Sequence, residues 1–195
     1  MRVLFSTLLA VAAAATPAMA QAPAEPRGVV FAGVGYARTA DDEGLLGAGA
    51  ALSVGAGLRV TPGLTVQAVF DRIPYHRNED YLAFDGRVLF IGVEAAFQSQ
   101  RPRVRPFVTI GAGVMNDRKD WTHRTQIGPG QSRVESVTEH EYTLAAMRAS
   151  AGIDVRITDA LSLRAGLTFH GLLDTGADLA AHLILQPAVG AAWRW

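Results

Sequence analysis

The chain repeats one pattern in eight segments: apolar side chains alternate with polar or small ones every second residue. Successive side chains of an extended strand point to opposite faces, so this period predicts strands with one greasy face and one polar face. The last segment sets Leu183, Leu185, Pro187, Val189, Ala191, Trp193 and Trp195 against His182, Ile184, Gln186, Ala188, Gly190, Ala192 and Arg194. The one before it sets Leu161, Leu163, Ala165, Leu167 and Phe169 against Ser162, Arg164, Gly166, Thr168 and His170. Comparable runs occupy 52–60, 64–70, 89–97, 104–114 and 145–157. The first segment, about 28–38, is ambiguous, because Val30, Val34 and Tyr36 compete with Val29 and Phe31 for the apolar face.

The connections alternate in length. Short turns follow the second, fourth and sixth strands, at Thr61-Pro62-Gly63, Ser99-Gln100-Arg101-Pro102 and Thr158-Asp159. Longer polar links follow the first, third, fifth and seventh. The longest, about 116–139, carries Trp121, His123 and Gly128-Pro129-Gly130. Short turns on one side and long links on the other describe an up-and-down barrel of the outer membrane, with the short turns in the periplasm. A soluble eight-stranded barrel would turn its apolar face inward. Here the polar face mixes Gly and Ala with Arg, Glu and Asp, which suits a narrow interior where small residues make room for long charged ones. The apolar face carries Trp193, Trp195 and Phe97 near the short turns, and Tyr36, Phe70 and Phe169 towards the other end, as two aromatic girdles would. The expected fold is therefore all-β: an eight-stranded antiparallel transmembrane β-barrel over residues 27–195. Pro187 removes a ladder donor, so a bulge or twist is expected beside it.

The first twenty residues read as an address. Arg2 is followed by a short apolar stretch, Pro17 breaks it, and Ala18-Met19-Ala20 fits a small-x-small cleavage site before Gln21. Residues 1–20 are thus a predicted signal peptide and 21–26 a short lead-in. The 195 residues hold 18 basic and 18 acidic side chains, so formal net charge is zero and no basic excess points to nucleic acid. With no Cys, disulfide scaffolds, thiolate metal sites and Cys nucleophiles are excluded.

The inward parity collects the candidate chemistry. Turns centred near Asp159 and near Ser99–Gln100 would oppose Asp154 to Arg164 and Glu94 to Arg105, giving structural ion pairs inside the lumen. A charge buried there needs a partner, because desolvating it alone costs several kcal/mol. At the outer mouth, His170 is expected to face His182 with Arg148 alongside. Arg148 disfavours a cation there and no carboxylate is placed as a further ligand, so neither a metal nor another cofactor is expected. A lipid-modifying enzyme is not expected either. A deacylase barrel uses a His-x-Ser pair, whereas His170 is followed by Gly171 and Leu172, and Ser150 and Ser162 have no adjacent His. The Gly-x-Gly steps, such as Gly55 and Gly57, are strand alternations without the following helix that a nucleotide loop needs. The charged links, such as Asp41-Asp42-Glu43 and Asp117-Arg118-Lys119-Asp120-Trp121, are the places for a surface ligand.

The ending, Val189-Gly190-Ala191-Ala192-Trp193-Arg194-Trp195, finishes on an aromatic with apolar residues at alternate positions before it. In this it resembles the C-terminal assembly signal of bacterial outer-membrane barrels, with Trp193 and Trp195 as its aromatics. Together with the address and the eight strands, the chain resembles the small eight-stranded outer-membrane proteins, such as the OmpA transmembrane domain, OmpX and OmpW. The resemblance is architectural and carries over no functional residue. It implies insertion by the barrel-assembly machinery of a Gram-negative bacterium, and contact with outer-membrane lipid and lipopolysaccharide. A monomer is expected, with a structural or surface-interaction role in envelope integrity or adhesion. The alternative is a narrow channel for small or hydrophobic solutes.

Overall fold

The computed structural model describes residues 27–41, 44–78, 82–99, 103–128, 131–173 and 183–195. The expected signal peptide and lead-in lie outside these residues, as does His182. Eight strands follow in chain order: β1 (Gly28–Asp41), β2 (Gly44–Thr61), β3 (Leu64–Asn78), β4 (Leu82–Gln98), β5 (Val104–Gly128), β6 (Gln131–Arg156), β7 (Leu161–Leu172) and β8 (Leu183–Arg194). Each pairs antiparallel with its neighbour in sequence, and β8 pairs back onto β1 to close the barrel. Closure has a direct cause. Hydrocarbon offers no partner to a backbone N–H or C=O, so an open sheet edge cannot be left in it.

The apolar stripes face outward. Val34, Ile91, Val108, Ile110, Leu163 and Val189 are exposed, while Gln67, Asp71, Glu94, Arg148 and Asp154 on the opposite parity are buried. The ambiguity of β1 resolves in the same sense: Val30, Val34 and Tyr36 point out, and Val29 is buried. Phe31 also turns inward, where a Cβ on Gly55 would come within 2.3 Å of its ring. A Cβ on Gly152 would likewise come within 2.8 Å of the Phe107 ring. Small residues on the inner wall thus leave room for large ones opposite.

Two features differ from the expectation. The stretch 116–139 is not a loop. β5 and β6, 25 and 26 residues long, run through it and stay paired up to Gly128↔Gln131. A transmembrane strand needs about 9–11 residues, so this hairpin projects well beyond the membrane. It hides in the sequence because both of its faces are polar there and the apolar alternation stops. Pro187 causes neither a bulge nor a register change. The β1–β8 ladder skips Tyr36 and Ala37 and resumes at Arg38↔Leu185 in the same register. The missing donor therefore interrupts the ladder without shifting it.

Outward parity means lipid in the band and water on the projecting hairpin, although both surfaces are equally exposed in the fold. Val189 is 61% exposed on the barrel wall and Ile127 is 64% exposed near the hairpin tip. Val189→Arg is expected to cost about 2–4 kcal/mol, the range for a basic residue near mid-bilayer. Ile127→Arg is expected to cost within about 0.5 kcal/mol, as a surface change should. Urea titration of the vesicle-embedded variants checks the contrast.

Candidate functional site

The lumen is filled in three levels. Nearest the short turns, Asp154 of β6 takes a hydrogen bond from Arg194 of β8 at 2.6 Å and lies 3.4 Å from Arg164 of β7. Arg194 also donates to Ser162 at 2.7 Å, and Gln98 donates to Asp154 at 3.1 Å. The Arg164 guanidinium lies over two rings, 4.9 Å from the Phe31 centroid and 4.6 Å from that of Phe107. This packing keeps a cation beside aromatic faces as well as beside a carboxylate.

The middle level is organised by Arg148 of β6. It reaches across the lumen to Asp71 of β3 at 2.7 Å and Glu94 of β4 at 2.5 Å. Glu94 also accepts from Gln67 and from Thr109 at 3.0 Å. Ser150 shares a hydrogen bond with Thr168, and Gln186 of β8 donates to Ser53 of β2 at 3.0 Å. His170 is fully buried at this level, 3.5 Å from Asp71 and edge-on to Phe90 at 5.2 Å. Its two ring nitrogens make no hydrogen bond. A cavity of about 50 Å³ separates the two charged levels, with Arg164, Glu94, Arg148, Phe31 and Phe107 in its wall.

Above the charges the interior turns apolar. Ile73, Tyr75, Val88, Phe90, Met115 and Ile184 pack together with Ala37, Ala51 and Ala146. On β3 the faces exchange character at this height. Arg72 and His76 point outward and are exposed, while Ile73 and Tyr75 point in and are buried. The outer wall becomes polar where it leaves the lipid, and the inner wall becomes apolar to seal the lumen. Tyr75 then donates to Asp117 at 2.9 Å, and Lys119 lies 3.4 Å from Asp117, beginning the polar overhang. There Asn116 donates to Glu141 at 2.9 Å across the hairpin, and Arg118 stands opposite Glu141 in the ladder.

The expected site residues are placed as follows. Asp154 lies opposite Arg164. Glu94 does not meet Arg105. The β4–β5 register sets it opposite Gly111, and Arg105 lies opposite Asp154. The turn is centred farther along the chain than Ser99–Gln100, which moves Arg105 towards the mouth and leaves Glu94 to Arg148. His170 lies opposite Ile184 rather than His182, because the β7–β8 register is displaced by two residues. Arg148 and His170 are beneath the apolar seal and do not line the outer mouth. The sequence alone does not single out Asp71, Gln67 or the apolar seal. The polar faces of the strands carried both residue types, but only barrel curvature brings β3, β4 and β6 together across the lumen. Trp193 and Trp195 are exposed on the outer wall at the short-turn end.

Comparison with known proteins settles the family. Residues 6–185 match the family described as "Outer membrane protein beta-barrel domain". The chain belongs to that family. It is accordingly an integral outer-membrane protein, with its apolar wall against lipid. No curated protein sequence matches it. Among solved structures it is similar to Neisserial surface protein A, at 16% identity and a TM-score of 0.63, covering 86% of this chain and 97% of that one. It is also similar to Ail, the attachment invasion locus protein of Yersinia pestis, at 14% identity and a TM-score of 0.57, covering 88% and 99%. The N-terminal barrel domain of Pseudomonas aeruginosa OprF gives 12% identity and a TM-score of 0.52, covering 87% and 98%. At these identities the likeness is one of fold.

Because Arg148 alone among the described residues is ion-paired to both Asp71 and Glu94, removing it leaves two buried carboxylates without their shared cation. Arg148→Met is expected to cost about 3–5 kcal/mol, the range for breaking a buried pair. Adding Asp71→Asn and Glu94→Gln should recover most of that loss, since no uncompensated charge then remains. The shift between unboiled and boiled bands on a denaturing gel, followed against temperature, reads both outcomes.

Proposed function

We propose that this outer-membrane barrel is a closed anchor that holds the β5–β6 hairpin above the membrane for surface contact, in adhesion or envelope integrity. One observation carries the reading: the lumen is crossed by two charged levels and an apolar seal, whereas the longest strands project outward as a polar hairpin. A rigid scaffold that presents a polar element is the usual arrangement for recognition at a surface. The likeness to Ail, whose printed name is that of an attachment and invasion protein, is consistent with this role. Ail is also solved with the heparin analogue sucrose octasulfate, which makes sulfated glycans a first ligand class to test. The barrel is read as a monomer inserted by the barrel-assembly machinery, and as having no enzymatic activity.

The alternative, a narrow channel for small or hydrophobic solutes, requires a continuous path through the same levels. The purified barrel in planar bilayers is expected to show no steady conductance. Cells displaying it should bind an immobilised sulfated glycan or host-cell surface. Replacing 118–141 by a short turn should abolish that binding while leaving the heat-modifiable barrel intact. Steady single-channel steps, or undiminished attachment after the replacement, would contradict the anchor reading.

A further inference from the structure

The formal charge of zero conceals a separation of charge along the barrel axis. At the short-turn end, Arg27, Arg59, Arg103, Arg105, Arg156 and Arg194 gather round one mouth. The backbone sets them side by side: the N–H of Arg59 donates to the carbonyl of Arg27, and that of Arg156 to the carbonyl of Arg103. Arg105 lies opposite Asp154 and is within electrostatic reach of Arg59, Arg156 and Arg194. Against these six, the side-chain carboxylates of Asp and Glu among the described residues at this end are Asp154, buried beneath Arg194, and Asp159, paired with Arg156 at the surface, while Arg59 and Arg105 make further contacts of their own. A small cavity of about 20 Å³ opens among them, with Arg59, Arg164 and Arg194 in its wall. The buried Nε of Arg164 makes no hydrogen bond. The compensating acids lie at the other end, among them Asp117, Asp120 and Glu141 of the overhang.

The depth of this mouth is fixed by aromatics. Phe97, Trp193 and Trp195 are exposed on the outer wall beside it, and aromatic girdles sit at headgroup level. The Trp195 ring lies against Gly28, next to Arg27. Arg27 and Arg103 are themselves exposed. The arginines therefore meet the periplasmic leaflet where lipid phosphates are, and guanidinium is the side chain best suited to bind phosphate bidentately.

We propose that the arginine-lined periplasmic mouth binds the phosphate group of an anionic glycerophospholipid of the inner leaflet, with Arg27 and Arg103 as its outermost contacts. The lipid headgroup neutralises the excess positive charge and ties the short-turn end of the barrel to the membrane surface. This inference does not depend on what the hairpin binds outside.

Native mass spectrometry of the full chain tests it, after release from vesicles holding equal parts of phosphatidylethanolamine and phosphatidylglycerol. The wild type is expected to retain phosphatidylglycerol selectively. Arg27→Gln and Arg103→Gln should each lower that preference by about fivefold, the factor expected for one basic residue at an anionic surface. Arg38→Gln and Arg87→Gln, exposed at the outer end, should leave it unchanged. Because all four side chains are exposed, the variants are expected to fold, and heat modifiability checks this. Equal retention of the two lipids by the wild type, or the same loss in the outer-end variants, overturns the proposal. So does displacement of the lipid by inorganic phosphate at matched concentration, which would make the mouth a site for a soluble anion.

Discussion

Inside hydrocarbon, no backbone amide can remain without a partner, and this constraint organises the barrel from its wall inward. It forces β8 back onto β1, and eight strands then enclose a lumen only wide enough for side chains. Such a lumen is built like a protein core with its solvent on the wrong side: the wall must be greasy outside and the middle must be filled. Inward glycines such as Gly55 and Gly152 give way to Phe31 and Phe107, and long charged side chains take the remaining space.

The charged filling is balanced as well as paired. The middle level sets one guanidinium, Arg148, between two carboxylates, Asp71 and Glu94. The level below sets one carboxylate, Asp154, between two guanidiniums, Arg164 and Arg194. The two levels thus carry opposite excess charge and share a cavity walled by Glu94 on one side and Arg164 on the other. In a low-dielectric interior that stacking matters, because the coulombic cost of either level alone is not screened. An apolar layer around Phe90 and Ile184 lies above both. On the proposed reading of a closed anchor, partners are met at the surface, where β5 and β6 extend.

Alternation made the strands and their inner faces legible from the sequence, since a strand's period of two is insensitive to everything but parity. The same property hid the register. Sliding one strand past its neighbour by two, four or six residues keeps every side chain on its own face. Glu94 could thus be paired with Arg105 or Gly111 with equal respect for the pattern, and His170 with His182 or Ile184. The partner of Glu94 proved to be Arg148, two strands away, a contact set by curvature across the lumen rather than by any ladder. Where polar residues occupy both faces, as in the stretch around Arg118 and Glu141, the pattern loses even its power to mark a strand.

The chain has no cysteine, which permits a clean test of the central claim that the wall faces lipid and the lumen is shut. Single cysteines placed at Val189, on the outer wall, and at Ser150, in the middle level, can be probed in intact outer membranes with a water-soluble and a lipid-soluble maleimide. Val189→Cys is expected to react with the lipid-soluble reagent alone, and Ser150→Cys with neither until the barrel is unfolded. Labelling of Ser150→Cys by the water-soluble reagent in the folded protein would mean an open path through the barrel and would contradict the account.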